Sequence, residues 1–249
     1  MLRSFLLCLL LLGGCSTIKA PESFIYKEIS GENFDVIVWQ KTNSPTLPYK
    51  IYIEGDGYAF NAHGMPTADP TPKGELMREL AFGDISPNVV YLARPCQYKQ
   101  SRSCTTKYWT DARFAPEVVR DEYIAIKKTV KDHPVILIGF SGGAQIAGLL
   151  AATTDLKVKE IITIAGNLDH KAWTRYHKLP DLDESLNAAD FKIKLAKFKQ
   201  KHYVGTKDKV IPASLTGNLL NNSNLITKVR NATHNDGWEQ IYPLIWQEL

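Results

Sequence analysis

The chain has 249 residues, 44 % of them hydrophobic and 22 % charged, with 30 Lys+Arg against 26 Asp+Glu for a formal net charge of +4. These ordinary globular values exclude a disordered polymer, a collagen-like fibre and a polytopic membrane protein. So small a charge excess predicts no nucleic-acid surface, and the length suits one α/β domain with a sizeable core.

The N-terminus reads as an address. Met1-Leu2-Arg3-Ser4 is followed by an apolar run from Phe5 to Leu12, then Gly13-Gly14-Cys15-Ser16. One cation, an apolar stretch and small residues make a signal-peptide pattern. The run is too short to cross a hydrocarbon core of about 30 Å, which needs about 20 helical residues. Leu12-Gly13-Gly14-Cys15 resembles the bacterial lipobox. That resemblance implies removal of residues 1–14 and acylation of Cys15, with residues 15–24 as a lipidated tether. Ser16 in second position implies an outer-membrane destination, facing the periplasm.

The cysteines then divide. Cys8 leaves with the signal, Cys15 carries lipid, and Cys96 and Cys104 remain in a disulfide-permissive compartment. With no His or further Cys between them, a bridge is favoured over a metal site; closing so short a loop stabilises by about 2–3 kcal/mol.

Apolar β-branched runs alternate with helical patterns from residue 25 to 249, which predicts βαβ units around a mostly parallel sheet. Strands are expected at Phe24–Glu28, Phe34–Trp39, Tyr49–Ile53, Val89–Ala93, Val135–Gly139, Glu160–Ile164, His202–Val204 and Leu225–Val229. Helices are expected from Pro72 to Phe82, with proline in the first turn, from Pro116 to Val130, from Gly142 to Thr153 and from Gly237 to Glu248. The third is almost wholly apolar or small, as a buried helix should be. Residues 170–198, with Trp173, Tyr176, Leu179, Leu182 and Leu186, form an insertion that could cap a site. The lysines at 192, 194, 197, 199 and 201 read as a solvated face, with contact to anionic headgroups as the lesser reading.

Gly139-Phe140-Ser141-Gly142-Gly143 lies between a strand and the small-residue helix. G-x-S-x-G in a strand–turn–helix context sets a serine on a sharp turn above a sheet, with the next N–H, that of Gly142, at a helix N-terminus able to face an oxyanion. The serine needs a base. Of six histidines, His133 and His202 fall at strand starts, the wrong end of a parallel sheet. His63, His170 and His177 lie in or after loops, and His170 is the main rival. His234, just past the last strand, satisfies the order Ser…Asp…His. Asp208, after a short strand, is the acid that would orient the imidazole, with Asp169 as runner-up.

Together, Gly139–Gly143, Asp208 within Gly205-Thr206-Lys207-Asp208-Lys209-Val210-Ile211-Pro212, and His234 resemble the α/β-hydrolase superfamily over residues 30–249. Glu54-Gly55-Asp56-Gly57, Ala93–Tyr98 and Tyr108-Trp109 resemble a bacterial branch of uncharacterised hydrolases within it. The resemblance implies a Ser141–His234–Asp208 triad and hydrolysis of a small-molecule or lipid ester. It also implies a second oxyanion N–H after the third strand, which by position is that of Asp56. A carboxylate there would oppose the developing charge, so the Asp56 side chain is expected to point away or to be paired, with Arg94 as one candidate. No metal cluster or dinucleotide fingerprint occurs, so no cofactor is expected. A prolyl-oligopeptidase-type peptidase is the enzymatic rival, although the chain has no room for a propeller. A non-catalytic envelope scaffold on the same fold is the rival from another class.

Overall fold

The computed structural model describes residues 19–220 and 222–247. The expectations for Arg3, Cys8, Cys15 and Ser16 lie outside the described residues. The later part of the expected 15–24 tether belongs to the folded body instead: Ala20 packs against the core and Phe24 is buried edge-on against Phe82, centroids 5.0 Å apart.

One eight-stranded sheet organises the fold in the order β1-β2-β4-β3-β5-β6-β7-β8. Its strands are β1 (Ile25–Ser30), β2 (Asp35–Thr42), β3 (Tyr49–Ile53), β4 (Asn88–Leu92), β5 (Val135–Phe140), β6 (Val158–Ile164), β7 (Lys199–Gly205) and β8 (Ile226–Val229). Only β2 runs against its neighbours; β3 to β8 pair in parallel. Every residue of β3 and β4 is buried, as expected of strands covered on both faces. Because β1 and β4 both oppose β2, they share a direction. Ile25 stands beside Gln40, which stands beside Val90. Ser23 and Glu22 precede it at the end of the sheet where the parallel strands begin, in a groove shared with Thr42 and His133.

Helices cover both faces. α2 (Pro116–Val130) and α3 (Gly143–Thr153) lie over one core layer with Val36, Ile51, Leu137 and Ile161. α3 is buried from Gly143 to Ala152, which its alanines and glycines permit at close range. α1 (Leu76–Gly83) and α7 (Tyr242–Trp246) cover the other layer, built on Tyr52, Tyr91, Ile138 and Trp238. A buried charge lies on that side. Lys50 Nζ donates to the carbonyls of Ile245 and Trp246 at 2.8 and 2.9 Å and stands 3.3 Å from Asp84 Oδ2, which also accepts the Tyr52 hydroxyl at 2.6 Å.

Two expected helices differ. The first begins at Leu76, not Pro72. Residues 70–72 are instead held in a loop, where Pro70 O accepts from Tyr58 N at 2.9 Å and Thr71 Oγ1 from Tyr98 N at 2.7 Å. At the C-terminal end Gly237 has φ of +83°, outside the helical region. A 3₁₀ turn over Glu239–Ile241 follows, and only then α7.

The lysine run is divided between two elements. Lys192 and Lys194 lie on α5 (Lys192–Leu195), Lys197 follows it, and Lys199 and Lys201 lie on β7. Lys192, Lys194, Lys197 and Lys199 are exposed around the buried Leu195, and Lys199 Nζ reaches Glu160 Oε2 at 2.8 Å. Cys96 and Cys104 are joined as a disulfide with Cα atoms 5.6 Å apart.

Candidate active site

Ser141 sits immediately after β5 with φ of +51°, a left-handed conformation rare for a residue with a Cβ. The turn is pinned by Ser141 N donating to Ile164 O and by Ser141 O accepting from Asn167 N, both at 3.0 Å. Its glycines are required by close approach. A Cβ on Gly139 would overlap the Gly143 carbonyl, and one on Gly143 would crowd the carbonyls of Ile53 and Glu54.

Two loops from distant parts of the chain meet this serine. The Ser141 hydroxyl donates to His234 Nε2 at 3.0 Å, and His234 Nδ1 donates to Asp208 Oδ2 at 2.9 Å. The other carboxylate oxygen of Asp208 accepts from the backbone N–H groups of Val210 and Ile211 at 2.8 and 2.9 Å, fixing its rotamer. The His234 ring rests against Phe140, centroids 5.1 Å apart, and the His234 carbonyl accepts from the indole of buried Trp238 at 3.1 Å. This chain of contacts can move a proton away from the serine and stabilise the resulting imidazolium.

The rivals occupy other positions. Asp169 caps α4 (His170–His177), accepting from Ala172 N at 3.1 Å and from Asn187 Nδ2 at 2.9 Å. His170 is a core residue buried against Phe114, and burial lowers its pKa. His202 bonds Thr163 Oγ1 and Gln200 Oε1 within the sheet. His133 faces the carbonyls of Val130 and Pro45, His177 faces that of Val210, and the backbone N–H of His63 donates to Asn61 Oδ1.

Gly142 and Asp56 face each other across the turn. Among the described residues neither backbone N–H donates to a backbone carbonyl or side chain. The Asp56 carboxylate is paired, as its position demanded. Oδ1 meets Arg94 Nη1 at 3.3 Å and Oδ2 meets Arg113 Nη1 at 2.8 Å. Behind it, Arg94 Nε donates to Glu122 Oε1 at 2.6 Å and Arg94 Nη2 to the Arg113 carbonyl. Burial pushes the Glu122 carboxyl up to about 7, against the pull of Arg94. Glu54, at the start of the same loop, accepts from Gly55 N at 2.9 Å and from the Tyr91 hydroxyl at 2.7 Å, and burial raises its pKa.

A cleft of about 1110 Å³ opens at this point. Its lining includes Trp173, Leu179 and Leu182 from the 170–198 insertion and Tyr58, Phe60 and Leu76 from a second wall segment. The remainder of the insertion, from Leu186 through Ala188 to Leu195, packs on the core beside α3. Sequence reasoning missed the 57–76 wall, Arg113 and Trp238. Only the aromatic pair Tyr58 and Phe60, spaced across one residue, signalled the wall. No group of three metal-ligating side chains occurs among the described residues.

The sheet order and the turn carrying Ser141 define the α/β-hydrolase fold, and solved structures agree. The chain is similar to a candidate lipase from Acinetobacter baumannii AYE (13 % identity, 91 % of this chain and 89 % of that one, TM-score 0.62). It is similar to XC6422 from Xanthomonas campestris, described as an α/β serine hydrolase without lid (13 %, 92 % and 93 %, TM-score 0.53). It is also similar to a membrane phospholipase A described as a bacterial virulence factor (13 %, 90 % and 82 %, TM-score 0.56). No family model matches the chain, and no curated protein does.

Proposed function

We propose that the protein is a serine hydrolase that cleaves carboxylic esters through an acyl-enzyme. The observation that carries this reading is the unbroken hydrogen-bond chain from Ser141 through His234 to Asp208. Ser141 Oγ attacks the acyl carbonyl while His234 Nε2 takes the hydroxyl proton. His234 then returns that proton to the departing alkoxide, and an alcohol leaves. Water attacks the acyl-enzyme by the same steps and releases the acid. Asp208 stabilises the imidazolium, and the N–H groups of Gly142 and Asp56 receive the oxyanion. The aromatic and aliphatic side chains lining the cleft support an apolar acyl group, in keeping with structural neighbours described as a candidate lipase and a membrane phospholipase A.

The chain is further read as an exported lipoprotein. Cleavage before Cys15 and acylation of that residue would tether it to the bacterial envelope, at the outer membrane facing the periplasm.

The test is hydrolysis of p-nitrophenyl esters by the full chain in detergent, beside Ser141→Ala and fluorophosphonate labelling. Loss of both turnover and labelling in the variant is expected. Turnover that survives the substitution ends the reading, and an unlabelled, inactive native protein favours a scaffold. For the anchor, Cys15→Ser should abolish palmitate incorporation and move the protein out of the detergent phase.

A further inference from the structure

The carboxylate of Asp56 does more than avoid the oxyanion. It lies against Gly142, so closely that a Cβ at position 142 would overlap its Oδ1. The side chain of the residue supplying one proposed donor therefore abuts the residue supplying the other. It is gripped from both sides by Arg94 and Arg113, and each arginine is itself fixed. Arg94 is held by Glu122, and its own backbone N–H donates to Gln97 Oε1 at 3.0 Å. Gln97 Nε2 in turn donates to the carbonyl of Gly55 at 3.0 Å. Arg113 is tied by Nε to the Thr110 carbonyl and stacks its guanidinium over Phe60, 5.6 Å from the ring centroid. The next residue, Gly57, has φ of +66° and leaves no room for a Cβ beside Pro70 O. The Gly55 carbonyl and the Asp56 carboxylate are thus both bound, while the Asp56 N–H has no protein partner among the described residues.

We propose that Asp56 is a positioning residue whose carboxylate, clamped between Arg94 and Arg113, sets the spacing of the Asp56 and Gly142 N–H groups. This rests on the serine-hydrolase reading above. Two guanidinium groups facing one carboxylate also leave no net negative charge beside the oxyanion, so the clamp removes the repulsion that an unpaired Asp56 would exert. An oxyanion site gains from donors fixed before the charge develops. Disturbing the clamp should therefore affect the transition state while leaving ester binding intact.

The experiment compares Asp56→Asn, Arg113→Met and Arg113→Lys with the native full chain in detergent. It reads kcat and KM on a short p-nitrophenyl ester, affinity for a trifluoromethyl ketone that forms a tetrahedral adduct, and the thermal midpoint. Expected are a fall in kcat of about 10–100-fold for Asp56→Asn and Arg113→Met, with KM within about threefold, and parallel loss of ketone affinity. Arg113→Lys should regain most of both, since an ammonium can still pair with Asp56. A lowered midpoint with unchanged kcat and ketone affinity would mean a merely structural ion pair and overturn the proposal. So would a loss confined to KM. A native protein that neither turns over ester nor labels at Ser141 overturns the underlying reading instead, and the clamp falls with it.

Discussion

The indole N–H of Trp238 donates to the main-chain carbonyl of His234 at 3.1 Å, and the indole is almost fully buried, at 1 % exposure. His234, the proposed base, is therefore held by its backbone as well as by Asp208. Trp238→Phe keeps a ring in the core but removes the donor, leaving the carbonyl without that partner. The expected result is a loss of about 1 kcal/mol of stability. A fall in kcat of up to about tenfold at constant KM should accompany it. Urea denaturation and steady-state kinetics check the two parts separately.

Asp208→Asn should be inactive yet folded. The amide oxygen can still accept from Val210 N and Ile211 N, so the loop keeps its anchor. The amide NH₂ then donates to His234 Nδ1 and drives the proton to Nε2, where it blocks acceptance from Ser141. By the behaviour of serine triads, kcat should fall about 10⁴-fold. A midpoint within a few degrees of native, measured by calorimetry, distinguishes this from unfolding.

Gly142→Ala should lower both activity and stability, because the new methyl meets the Asp56 carboxylate and must push it from its arginines. The paired substitution Gly142→Ala with Asp56→Ala, which removes the obstacle, should recover stability relative to the single change but not activity. A double-mutant cycle on thermal midpoint and kcat reads the coupling.

Two buried groups tilt the pH dependence of stability in opposite directions. Burial pushes His202 down from 6.5 to about 4. Its contribution is complete above pH 6.5 and is lost as pH falls through 4, because the unfolded chain binds the proton first. Burial raises Glu122 from 4.5 to about 7. Its contribution is complete below pH 4.5 and is lost as pH rises through 7. His202→Asn should flatten the acid limb of a stability–pH curve, and Glu122→Gln the limb between pH 4.5 and 7, as read by urea midpoints.

Reduction of Cys96–Cys104, or Cys96→Ser with Cys104→Ser, should lower stability by about 2–3 kcal/mol. Arg94 and Gln97 flank Cys96, and Gln97 reaches the Gly55 carbonyl. Some loss of kcat should therefore follow the bridge, measured as activity before and after reduction.

The parts legible from sequence were those set by local geometry. Gly139 to Gly143 announced its turn because only glycines let β5 and α3 meet so closely. Strand-end placement and chain order pointed to Asp208 and His234, which the fold does bring into one hydrogen-bonded line with Ser141. α2 was readable from Pro116 to Val130 because its apolar period and both ends agree. The unreadable parts depend on contacts between distant segments. Arg113 meets Asp56 across a long stretch of chain, and nothing around Arg113 marks it as a partner. Pro72 looked like a helix start because a proline in a first turn is favourable, yet Tyr58 and Tyr98 bind residues 70 and 71 as loop. Asp169 had the credentials of a triad acid, and the capping of α4 uses it instead.

The direction of β1 has a consequence for access. The described chain enters the sheet beside Thr42 and His133, at the end where the parallel strands begin, and the cleft opens where they finish. A lipid anchor upstream of Lys19, as proposed, would therefore join the domain at the end of the sheet away from the cleft, and leave the cleft unobstructed by its own attachment.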